Sequence, residues 1–202
     1  MNFDIAERKS AIILAAVAVV QGAWVLWNLR LDGWRFVHYL GFASGQSGNL
    51  LGWAAAAFVA IIYVVVSARR LPSVRKHLVR PSFLKLLALA VAIAAGILEE
   101  VMFRRWTMNW LMAHGQGAIV QVLGSGLFFG AAHGIWGLMG KSIRVAIGAT
   151  VATGLLGVLL ALVFLLAGRS LAPCIVAHFF ITLLIEPGLV LAATRGEMGL
   201  RR

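Results

Sequence analysis

Apolar positions along the chain gather into six runs: Ser10 to Leu29, Leu50 to Ser67, Phe83 to about Ala113, Ala118 to Met139, Ile143 to Ala167, and Leu171 to Thr194. About 20 apolar residues cross a hydrocarbon core as a helix, so each run reads as one transmembrane helix. The pattern predicts an all-α, polytopic transmembrane bundle of about six helices joined by short connections. Ala16-Val17-Ala18 has the form of a signal-peptide cleavage site, but the apolar stretch continues past it through Trp24 and Leu26. The first run is therefore read as a retained span.

The polar connections add a direction. Between residues 69 and 85 lie Arg69, Arg70, Arg75, Lys76, Arg80 and Lys85 with no acidic residue. Short loops rich in Lys and Arg stay cytoplasmic. Counting spans from that loop puts Arg8, Lys9, Lys141, Arg144, Arg195, Arg201 and Arg202 on the same side. Arg30, Arg35 and Arg169 fall opposite, so both termini are expected inside. Residues 1–82 read as an N-terminal transmembrane hairpin with its basic loop, and residues 83–202 as a second unit with a C-terminal tail.

Composition supports the membrane reading. Of 202 residues, 61% are hydrophobic and 12% charged, against about 25% charged in soluble domains. The net charge of +11 reads as loop charge, because a nucleic-acid binder needs basic residues interleaved with aromatics on a polar surface. No nucleic-acid partner is expected. A single cysteine, Cys174, excludes an internal disulfide and any CxxC metal site. Glycines such as Gly124, Gly126, Gly130, Gly148, Gly154 and Gly157 permit close helix contacts. Trp24, Trp27, Trp53, Trp106 and Trp110 lie where interfacial anchors belong.

Three of the seven acidic residues, Glu99, Glu100 and Glu186, lie inside or beside apolar runs. A charge at the centre of a span costs roughly 2.5 to 3.5 kcal/mol on insertion scales, so such a group needs a partner or a polar cavity. At 100° per residue Arg104 stands nearly above Glu100, which gives Glu100 a local ion pair and leaves Glu99 without one. His133 and His178 lie in two other runs. Two histidines and a free carboxylate from three helices can converge on a water and act as general bases, directly or through a metal. Zinc held by Glu99, His133 and His178 is chemically reasonable, although no HExxH helix fixes the ligand spacing.

These residues resemble a known family. Glu99-Glu100-Val101-Met102-Phe103-Arg104 is similar to the EExxxR motif of the CAAX prenyl protease type 2 and bacteriocin-processing (CPBP, or Abi) intramembrane proteases. Phe129 to His133 resembles the family's FxxxH motif, and His178 to Thr182 its HxxxN motif, preceded by the small loop Gly168-Arg169-Ser170-Leu171-Ala172-Pro173. The likeness spans about residues 83 to 185 and implies a four-helix catalytic core. By that resemblance the protein is an intramembrane endopeptidase that cuts a membrane-associated or membrane-anchored protein near its C-terminus. Glu99 would activate water with His133, Glu100 and Arg104 would brace the site together with Phe129, and His178 with Thr182 would stabilise the oxyanion. The metal-free version is favoured, so no cofactor is expected, with zinc the alternative.

The chain departs from the family pattern at Thr182, where Asn is usual, and at Arg105, where glycine commonly follows the motif arginine. An oxyanion donor is worth about 2.7 to 4 kcal/mol, so the Thr182 hydroxyl must replace the amide or another donor must. A straight helix from Phe83 sets Glu99 about 24 Å along its axis. A cytoplasm-facing site then requires tilt, a break near Gly96, or a later helix start. Two readings of other classes use the same residues: a small transporter or proton relay through Glu99 and the histidines, and a haem protein with His133 and His178 as axial ligands. Cys174, four residues before His178, reads as a small apolar residue. Glu186 before Pro187 reads as marking a kink or helix end, and His38 and His77 as loop residues. Analogy with the family points to a prokaryotic plasma membrane.

Overall fold

The computed structural model describes residues 4–139 and 142–198. Lys141, Arg201 and Arg202, counted above for sidedness, lie outside the described residues. All regular structure among the described residues is helical.

Helix α1 (Ile5–Asp32) opens on a capping box: Asp4 accepts from the Glu7 N–H at 2.7 Å, and Glu7 accepts from the Asp4 N–H at 3.2 Å. It runs unbroken through residues 16–18 and stops at Gly33, whose φ of +50° few side chains tolerate. A short α2 (Trp34–Tyr39) follows, then α3 (Leu50–Arg70), capped by the Asn49 side chain, and α4 (Pro72–His77). Ser82 caps α5 (Phe83–Glu100). The chain continues through a π-helical segment (Val101–Thr107) into α6 (Met108–Ala113), making one apolar rod of 31 residues. The rest is α7 (Ala118–His133), α8 (Trp136–Met139), α9 (Ile143–Leu166) and α10 (Ala172–Thr194).

Five helices are long and apolar enough to cross a membrane, and α7 is a shorter sixth. The fourth predicted run, Ala118 to Met139, does not form one span. Its helix ends at His133, and α8 follows beyond Gly134. Outward faces carry Val19, Val20, Phe58, Leu86, Leu123 and Leu155, each more than half exposed. The interior instead holds Ala88, Ala92, Ser125, Glu100 and Arg104. Such an apolar exterior suits lipid, and the chain is a multi-pass membrane protein.

Small residues set the distances within the bundle. A Cβ on Gly130 of α7 would come within 2.5 Å of the Thr150 carbonyl and 2.9 Å of Gly154 Cα, so α7 and α9 meet backbone to backbone. Gly96 does not break α5. A Cβ there would lie 3.3 Å from the Ile175 carbonyl of α10, so this glycine serves close approach between α5 and α10. Pro187 does not end α10 either, because the helix continues to Thr194. Proline has no N–H to give the carbonyl four residues back. Lys85 reaches across from α5, and its Nζ donates to that carbonyl, Leu183 O, at 2.9 Å.

His77 is not a loop residue: it is buried in α4, with Nδ1 2.9 Å from the Ser73 carbonyl. The open end of α1 and the closing end of α10 meet through Ser10 and Thr194 hydroxyls 3.0 Å apart and an Arg195–Asp4 ion pair of 2.8 Å. The Glu7 N–H, then Arg195, hold the Asp4 carboxyl below its usual range. The first and last spans therefore end on the same side of the bundle.

Candidate active site

Glu99 and Glu100 close α5, one turn beyond Gly96. His178 lies on α10 one turn beyond Cys174, between the Ile175 and Phe179 backbones that Gly96 approaches. The glycine thus allows α5 to come near enough for its carboxylates to reach the imidazole. Glu100 Oε1 lies 2.7 Å from His178 Nδ1, and its other oxygen lies 3.1 Å from Arg104 Nε. The i, i+4 pair read from the sequence is present. It is an ion pair whose N–H is not aligned on the oxygen.

Arg104 lies in the π-helical segment, where the wider turn leaves i−4 carbonyls without their usual partners. Thr107 Oγ1 donates to the Met102 carbonyl at 2.9 Å, and Ser125 Oγ of α7 donates to the Phe103 carbonyl at 2.9 Å. Arg104 is fully buried. Its guanidinium stands 4.6 Å from the centroid of Phe129 and donates to the Gly157 carbonyl at 3.4 Å. Gly157 faces α7 so closely that a Cβ there would lie 2.9 Å from Gly126 Cα.

Glu99 lies between two imidazoles. Its Oε2 is 3.7 Å from His133 Nε2 and 3.7 Å from His178 Nε2. The three side chains come from α5, α7 and α10. His133 ends α7, and its Nδ1 lies 2.8 Å from the Phe129 carbonyl. The Phe129 carbonyl can only accept, so this contact puts a proton on Nδ1. Phe129 packs against both imidazoles, with centroids 4.5 Å from His133 and 5.8 Å from His178. Exposure falls from 23% at His133 through 16% at Glu99 to 0% at Glu100, so Glu99 and His133 are the more accessible pair.

Thr182 is buried one turn beyond His178, and its hydroxyl bonds to none of the three. Cys174 is not paired with His178. Its thiol lies 3.4 Å from the Leu160 carbonyl. Sequence reasoning left Glu99 without a partner, but Gln21 of α1 supplies one, its Nε2 donating to Glu99 Oε1 at 3.2 Å. A glutamine inside an apolar run was the available signal. Further along α1, Trp24 joins Phe36, Tyr39, Val101 and Trp106 in walling a cavity of about 340 Å³, with Arg35 and Asp32 also lining it.

Zinc would draw on Glu99, His133 and His178, and their free atoms are of the right chemical type. The spacing does not form a cage: among the described residues no three His, Cys, Asp or Glu side chains are disposed to hold a metal ion.

No curated protein and no solved structure gives a match to the chain. The family model described as Type II CAAX prenyl endopeptidase Rce1-like matches residues 81–184, just over half of the sequence and all three of the motif segments. The chain therefore belongs to the Rce1-like family of type II CAAX prenyl endopeptidases: it is a multi-pass membrane protease of the CAAX class, acting on a membrane-associated protein substrate.

Proposed function

We propose that this protein hydrolyses an amide bond near the C-terminus of a membrane-anchored protein, using Glu99 and His133 to activate the water without a metal. The observation that carries the reading is the placement of Glu99 Oε2 3.7 Å from both imidazole Nε2 atoms. A water held by Glu99 and His133 loses its proton to the carboxylate as it attacks the carbonyl carbon. Glu99 then returns that proton to the leaving nitrogen. His178 carries the positive charge that balances two carboxylates and one guanidinium, and its Nε2–H donates to the oxyanion. Thr182, one turn away, is the second donor after a rotamer change. Glu100, Arg104 and Phe129 position His178 and touch no reacting atom. Phe129 against both rings and the Glu99 carboxylate before both nitrogens favour hydrolysis over haem ligation.

The basic connection and the paired ends of α1 and α10 favour cytoplasmic termini in a plasma membrane. The aromatic cavity walled by Trp24, Val101 and Trp106 is the approach for an apolar substrate segment.

The test begins with peptides that accumulate in membranes of cells carrying Glu99→Gln in place of the wild type. The accumulating species is then presented to purified protein in liposomes. Wild type cleaves it, while Glu99→Ala and His133→Ala do not, although both remain folded and inserted. Full cleavage by purified Glu99→Ala would sink the proposal. Activity that disappears with a chelator and returns with zinc would replace the metal-free step.

A further inference from the structure

A second polar concentration lies away from Glu99, at the end of the bundle opposite the paired chain ends. Residues 41–49, the turn between α9 and α10, and Arg105 enclose a cavity of about 470 Å³. Its walls include Gly41, Gln46, Asn49, Arg105, Arg169 and Ser170, and no Asp or Glu.

Both arginines are held by neutral groups. Arg169 Nε and Nη2 donate to Asn109 Oδ1 at 3.2 and 2.7 Å, and Nη1 donates to Gln121 Oε1 at 3.0 Å. Arg105 Nη2 donates to the Tyr39 carbonyl at 2.7 Å, and its guanidinium stands 4.8 Å from the centre of the Tyr39 ring. Arg105 Nε is buried with no acceptor among the described residues. Amide and carbonyl oxygens orient a guanidinium but do not neutralise it. Burial, then the neighbouring Arg105 charge, push Arg169 below the usual arginine range. Two cations thus stand together with no counter-ion among the described residues.

The site is also built at a cost. Arg169 is the one non-glycine residue at positive φ among those described, at 65°. Such a backbone persists only where its surroundings hold it. Here three hydrogen bonds aim the side chain. The facing loop is tied down as well: Ser170 Oγ donates to the Gln46 carbonyl at 2.7 Å, and Asn49 Nδ2 to the Leu166 carbonyl at 2.8 Å. Gly41, at φ +85°, has no room for a Cβ, which would lie 2.6 Å from Ser170 Oγ.

Position selects the source of the anion. The cavity lies at the end of the bundle where α2 and α9 finish and where α3 and α10 begin, the level of lipid headgroups. Phe42, Leu50, Leu51 and Leu166 are exposed around it, as surfaces for acyl chains. We propose that Arg105 and Arg169 bind the phosphate of an anionic phospholipid headgroup at this cavity. Guanidinium and phosphate match in bidentate geometry. Nothing in this site depends on the proteolytic reading.

The test uses the full chain purified in a zwitterionic detergent, with thermal unfolding followed as phosphatidylglycerol, phosphatidylcholine or inorganic phosphate is added. Phosphatidylglycerol should raise the midpoint saturably. Each guanidinium removed should weaken the apparent affinity about tenfold, in Arg105→Gln, Arg169→Gln and the double variant. Arg105→Lys/Arg169→Lys keeps the charge and should retain part of the response, which covers the case of a misfolded double Gln variant. Arg30→Gln, elsewhere on this side, should respond as wild type. Equal shifts from phosphatidylcholine, or a wild-type response in the Gln variants, overturn the proposal. Inorganic phosphate alone giving the whole shift overturns the lipid assignment in favour of the free anion.

Discussion

At the scale of single residues the site is a graded set of carboxylates. Glu100 is closed off from solvent and spends both oxygens on His178 and Arg104. Glu99 keeps one oxygen toward the two imidazoles and gives the other to Gln21. The first half of that division was legible in the sequence, because residues four apart on a helix meet whatever the tertiary fold. Gln21 was not, because it lies 78 positions from Glu99 and only helix packing joins them. Its amide orients Glu99 without touching the reacting atoms. Gln21→Leu should leave folding intact and lower kcat about ten- to a hundredfold, the worth of one hydrogen bond to a charged group. An unchanged turnover number on the cleaved peptide would remove Gln21 from the site. Thr182 was legible as a departure from the family motif, and the structure places its hydroxyl one turn beyond His178, within the buried core of α10.

Elements bring these residues together through exceptions to regular helix. The π-helical segment directs Arg104 to Glu100 and Phe129, and hydroxyls from Thr107 and Ser125 take two carbonyls along it. Apolar periodicity could not reveal it, since the run reads as apolar at either 3.6 or 4.4 residues per turn. Glycines were legible as small residues, but their partners were not: Gly96 serves α10, and Gly130 serves α9. Pro187 was legible as a kink or helix end, yet Lys85 keeps the helix continuous by donating to Leu183 O. Lys85→Met leaves that part-buried carbonyl without a donor and should cost about 1 to 3 kcal/mol. Pro187→Ala restores an N–H at the carbonyl, so Lys85→Met should cost distinctly less in that background. Denaturation midpoints of the four proteins in detergent measure the coupling. Additive effects would show that Lys85 acts elsewhere.

For the whole molecule the open question of depth becomes a matter of two helices agreeing. Glu99 is sixteen residues from Phe83, and His178 is sixteen from Thr194, so each lies about 24 Å along its axis from the end that carries the basic connection. With that connection cytoplasmic, Glu99 and His178 occupy the other half of the bundle. In a Cys174→Ala background, a cysteine at Gln46 should react with an impermeant maleimide in intact cells, and one at Arg75 only after permeabilisation. The reverse labelling would invert the protein and carry the site with it. By itself the sequence determined that the chain spans a membrane as helices, where the charge lies and that Glu100 and Arg104 pair, because hydropathy, loop charge and i, i+4 geometry are local, and its three motifs carried the family resemblance. Only the tertiary structure decided that α5, α7 and α10 converge, that α1 joins them through Gln21, and that Arg105 and Arg169 share a cavity. Those outcomes depend on how closely backbones approach across glycine contacts, a distance that no single segment carries.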